Sequence, residues 1–133
     1  QPVEQRAGLR RVIEAPDARS ALRAYAATQP GVWSRVGPLL RVLDSAAKGD
    51  QSLTELQDNL ARQRLTGMRR FAGQLADRGA LRAGVTPDRA ADMLWAICAQ
   101  ANYDALVVDR GWTDEEFQEW LAETLIAALL TPG

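Results

Sequence analysis

The sequence of 133 residues contains no histidine. It therefore lacks the side chain most used for proton transfer near neutral pH and for holding transition metals. Cys98 is its single cysteine, which excludes an internal disulfide and a paired-thiolate metal site. No phosphate-cradling glycine loop and no serine-nucleophile motif occurs. Carboxylates are plentiful, but they fall at solvated helix positions, so the expectation is a protein that is not an enzyme and uses no metal or cofactor. The 16 basic and 17 acidic side chains leave a net charge of −1, too little to hold nucleic acid by an overall field. No apolar run approaches the roughly 20 residues needed to cross a bilayer, and no signal peptide is visible. With an unpaired cysteine suited to a reducing compartment, a cytoplasmic location away from membranes is expected. Strand-like alternation and internal repeats are also missing, so the expected class is all-α. An apolar content of 47% suits a single domain, 1–133, that buries a real core.

Helix boundaries are marked by caps and breakers. Residues 3–14 place Val3, Leu9, Val12 and Ile13 among charges and predict a first helix. Pro16 suits the first turn of a second helix, reaching about Gln29 before Pro30-Gly31. Apolar residues crowd 32–48, where Gly37-Pro38 predicts a kink or restart, because an internal proline costs about 3 kcal/mol or more. Ser52 and Glu55 have capping-box spacing and open a long helix to about Arg78, stopped by Gly79. Thr86-Pro87 predicts the start of a helix to Arg110, ended by Gly111. Thr113 and Glu116 form a second capping box ahead of a last helix reaching Leu130.

Polar residues interrupt two of these apolar patterns. On the long helix, Leu53, Leu60, Met68, Phe71 and Leu75 form one stripe, and Arg64 falls in its middle. A buried guanidinium without partners is very costly. Arg64 therefore either snorkels or pairs with a carboxylate, or else it anchors a ligand in a cavity. On the helix 87–110, Trp95, Cys98 and Leu106 share a side with Asn102, which is either a satisfied core amide or a ligand-orienting group. Trp95 reads first as core packing, and Cys98 as inert filling. The expected pocket is enclosed by Tyr25, Trp33 and Leu40, by Arg64, Met68 and Phe71, and by Trp95, Cys98 and Asn102. Gly37-Pro38 would keep one wall deformable.

The last helix carries Phe117, Trp120, Leu121, Thr124, Leu125, Ala128 and Leu129 across about half its circumference, with Glu116, Glu119 and Glu123 opposite. Together with Leu106 and the nearly all-round apolar helix before it, this predicts two helices from each chain forming an intermolecular four-helix bundle.

These pieces resemble the C-terminal regulatory domain of TetR-family transcriptional repressors. The matching stretches are Leu22-Arg23-Ala24-Tyr25-Ala26, Val36-Gly37-Pro38-Leu39-Leu40 and Arg64-Leu65-Thr66-Gly67-Met68-Arg69-Arg70. They continue through Gly79-Ala80-Leu81, Ala90-Ala91-Asp92-Met93-Leu94-Trp95-Ala96, Tyr103 to Arg110-Gly111-Trp112, and Trp120-Leu121. The resemblance covers nearly the whole chain through order and spacing rather than one diagnostic motif. It implies an all-helical homodimer joined through its last two helices. A small hydrophobic effector would sit in its interior, and operator DNA would be bound only through an N-terminal helix-turn-helix. No such head lies in this sequence, which opens on Gln1 in mid-pattern; the expectation is that an N-terminal part is missing. A purely structural dimerisation module with a filled interior is the alternative.

Overall fold

A computed structural model describes residues 3–132, with side-chain surroundings from residue 7 onward, so Gln1 and the side chain of Val3 lie outside what is described. The fold is all-α: α1 (Val3–Glu14), α2 (Ala18–Ala46), α3 (Gln51–Asp77), α4 (Pro87–Ile97), α5 (Gln100–Tyr103), a π-helical turn (Asp104–Asp109) and α6 (Asp114–Leu129). Among the described residues there is no strand, only an isolated antiparallel bridge between Leu81 and Leu130.

The helix starts follow cap chemistry. Thr86 accepts from the Arg89 amide ahead of Pro87, and Thr113 and Glu116 form the reciprocal capping box. Two expected starts move. Asp17 caps α2 through the Ser20 amide at 2.7 Å, leaving Pro16 outside the helix. Asp50, rather than Ser52, caps α3 through the Leu53 amide at 3.2 Å. Asp17 is held below the usual carboxylate range by that hydrogen bond with Ser20. Gly79 and Gly111 take positive φ just past helix ends, where a side chain would be strained.

The expected break at Pro30-Gly31 and the restart at Gly37-Pro38 do not occur, since α2 runs through both prolines. Its buried face explains this. Leu22, Ala26, Pro30, Trp33, Gly37 and Leu43 keep one helical phase across both sites. Breaking the helix at either proline would throw the rest of that face out of register. The burial it secures outweighs the lost backbone bonds.

The helix expected over 87–110 is instead broken. α4 ends with Cys98 as C-cap, Ala99 is extended at φ −67 and ψ 146, and α5 and the π-turn follow. α6 packs against α2 and α4. Phe117, Leu121, Leu125 and Leu129, spaced four apart, are fully buried within the single chain. The assignment of Phe117, Leu121 and Leu125 to an intermolecular interface is corrected accordingly. Their broad apolar face is this chain's own core, and no surface of theirs is left for a partner. The end of α6 is tied to the loop before α4. The Arg82 amide donates to the Leu129 carbonyl at 2.9 Å, and the Arg82 guanidinium donates to the Ala127 carbonyl at 2.7 Å. No described helix is long and apolar enough to cross a membrane.

Candidate functional site

A cleft of about 700 Å³ lies between α1, α2 and α3 and is open on one side. α2 supplies Tyr25, Thr28, Gln29, Val32 and Arg35, spaced to share one face. α3 supplies Arg64, Gly67, Phe71 and Gln74 at the same kind of spacing, and Gly8, Leu9, Val12 and Ile13 come from α1. Tyr25 and Phe71 stack across it, with ring centroids 4.8 Å apart and planes inclined by 21°. Burial pushes the Tyr25 phenol well above its usual pKa. The Cys98 sulfur adds to that shift and the Arg64 charge opposes it.

Arg64 is where the cleft meets the core. Its guanidinium carbon lies 5.2 Å from the Trp33 ring centroid and 4.5 Å from that of Trp95. Its Nη2 donates to the Cys98 carbonyl at 2.8 Å. Asn102 serves the same helix end: its Nδ2 donates to the Ala96 and Ile97 carbonyls, both at 2.9 Å. The last carbonyls of α4 would otherwise be orphaned by the break at Ala99. Two polar side chains that seemed out of place on apolar faces therefore cap a broken helix. Arg64 makes no salt bridge among the described residues. Burial depresses its pKa, an effect opposed by Tyr25 and Cys98, and arginine remains charged at neutral pH. Burial also drives the Cys98 thiol from 9.0 to about 12, which leaves it protonated and unreactive as packing.

Of the nine residues expected to enclose a pocket, Tyr25, Arg64 and Phe71 line the cleft. The other six do not. Trp33, Met68 and Cys98 are buried in the core. Trp95 is half-buried beyond the Arg64 guanidinium, Asn102 caps α4, and Leu40 is half-buried on the second half of α2. The cavity is thus displaced toward α1, because Trp33, Arg64 and Trp95 fill the space expected to be open. Gly37 lies against Gln100, whose Nε2 donates to its carbonyl at 3.3 Å, and forms no wall of the cleft.

Arg35, Gly67 and the α1 residues were missed. The signal for Gly67 was present: it sits three residues after Arg64 and four before Phe71, on one face of α3. At α6, Trp120, Thr124 and Ala128 stay half-buried in an i, i+4, i+8 row, as does Leu106 on the π-turn, while Val108 is 60% exposed. No group of three or more His, Cys, Asp or Glu side chains that could hold a metal occurs among the described residues. Compared with family models, curated proteins and solved structures, the chain finds no match in any of the three.

Proposed function

We propose that this chain is the effector-sensing and dimerising domain of a TetR-type transcriptional repressor. In this reading a small, largely apolar molecule enters the α1–α2–α3 cleft, and two copies associate through the remaining surface of α6 and the π-turn. Operator DNA is contacted by a helix-turn-helix outside these 133 residues. The observation that carries the reading is the cleft: about 700 Å³, with Leu9, Val12, Val32 and Phe71 in its walls beside polar side chains such as Tyr25, Arg35 and Gln74, and of the size of a small-molecule site. The row Trp120, Thr124 and Ala128 supports the dimer, since it stays only half-buried in the single chain, although Trp120 also packs against Phe117.

One observation favours the alternative, a structural dimerisation module without an effector. Arg64 is satisfied by the Cys98 carbonyl and two indole faces, so it needs no ligand to be stable where it is. Thermal unfolding against a panel of small hydrophobic compounds separates the two readings. An effector at 100 times its Kd should stabilise the fold by about 2.7 kcal/mol. Phe71→Ala should remove that shift while the mass in solution stays that of a dimer. A panel that never moves the melting temperature, on a chain that is dimeric, selects the structural module; a monomer defeats both.

A further inference from the structure

The cleft is one-sided in charge. Among the described residues its lining includes Arg11 on α1, Arg35 on α2, and Arg64 and Arg70 on α3, and no Asp or Glu. That is a marked segregation in a chain with 17 acidic side chains and a net charge of −1. The described ion pairs, Arg23 with Glu119 and Arg41 with Asp104, lie elsewhere. Arg11, Arg35 and Arg70 therefore have no carboxylate partner among the described residues. Arg35 also lies close along its own helix. Its Nη1 is 3.2 Å from where a Cβ on Gly31 would stand, and Gly31 is itself part of the cleft lining. On the opposite wall, a Cβ on Gly67 would meet nothing within 4 Å. Like charges gathered beside low-dielectric walls focus a positive potential into the space between them. Planar guanidinium forks match the oxygens of a carboxylate or phosphate.

We propose that the cleft takes an amphiphile with one anionic head, a carboxylate or a phosphate monoester, and an apolar tail. Arg35 and Arg70 hold the head, and Val32, Phe71 and the α1 residues Leu9 and Ile13 cover the tail. Arg64 stays committed to the Cys98 carbonyl and contributes its charge at the border of the site. This inference rests on the reading of the cleft as an effector site and adds the chemical class of the effector.

The test uses three probes of equal chain length, decanoate, decyl phosphate and decanol, the anions below their micelle concentrations and the alcohol below its solubility limit, titrated calorimetrically into the whole chain. At least one anion should bind about tenfold or more tighter than decanol, the order expected for one charge-assisted contact. The tighter of the two identifies the head group. In the double variant Arg35→Gln, Arg70→Gln, both substitutions are at exposed positions, so folding is preserved. That variant should lose most of this preference and leave decanol binding unchanged. Decanol binding as tightly as both anions, or an anion preference untouched by the double variant, overturns the anionic head while the effector site stands. Failure of all three probes to bind overturns the head and the effector reading together.

Discussion

α2 separates two regions built on different rules. On one side Leu22, Ala26 and Trp33 belong to a continuous core with Leu94, Phe117 and Leu121, none of them more than 4% exposed. On the other side Tyr25, Val32 and Arg35 face a cleft of about 700 Å³. The packed region repeats apolar side chains at helical spacing, as in Phe117, Leu121, Leu125 and Leu129. The open region interleaves glycine and arginine with apolar residues at that same spacing, so its helices can approach one another without filling the space between them. On α2 and α3 these interruptions fall on the faces that packing does not consume.

The largest effect should come from the packed side. Leu121→Glu puts a carboxylate at a position with no exposure, next to Phe117 and Leu125 in the same row. Losing the leucine alone costs about 2–5 kcal/mol, and an unpaired buried charge adds several more, which together rival the whole stability of about 5–15 kcal/mol for a domain. The chain should lose its helical circular dichroism rather than become a folded monomer. Trp120→Glu, one residue earlier and half-buried, should keep its helices and a cooperative melt and lose only the dimer mass in light scattering. If Leu121→Glu folds normally, the assignment of α6 to the chain's own core is wrong.

Arg64→Met moves the test to the border between the regions. Methionine keeps the apolar stem and removes a charged hydrogen bond, worth about 1.5–3 kcal/mol, along with contact to two indole faces, worth about 0.5–2 kcal/mol when desolvated. These terms overlap, so urea unfolding should show a loss of about 2–3 kcal/mol. A loss below about 0.5 kcal/mol, the ordinary range for a surface substitution, would mean that Arg64 only snorkels and that the end of α4 is satisfied without it.

What the sequence made legible follows from how local each cause was. Caps were readable at Thr86 and Thr113 because a side chain bonds an amide three residues on. The continuity of α2 was also readable in principle. The phase of Leu22, Ala26, Trp33 and Leu43 runs through Pro30 and Pro38, although each proline taken alone signals a break. The break at Cys98-Ala99 was not readable as a breaker, since neither residue is glycine or proline. Its Cys98 carbonyl is bonded by Arg64, 34 positions away, and its trace in the sequence is indirect, an arginine and an asparagine on apolar faces. A polar residue on an apolar face looks the same whether it lines a pocket or caps a helix end, and six of the nine expected pocket residues lie outside the cleft. The position of α6 was hidden for another reason. A broad apolar face looks the same whether it is covered by its own chain or by a second one.

The smallest effect tests whether the open side is open. Gly67 lies within α3 on the cleft wall, and a methyl group there would touch nothing within 4 Å. Glycine inside a helix costs about 0.5–1 kcal/mol relative to alanine because the unfolded chain has more freedom to lose. Gly67→Ala should therefore raise stability by about that amount in urea unfolding. Gly8 supplies the opposite control. Its added Cβ would stand 2.9 Å from Thr28 Cγ2, where α1 crosses α2, so Gly8→Ala should shift α1 and destabilise the fold. A gain at 67 with a loss at 8 is the signature of helices in contact at one point and apart at the next. If Gly67→Ala also destabilises, the cleft closes onto α3 in solution, and the difference between the two sides of α2 disappears with it.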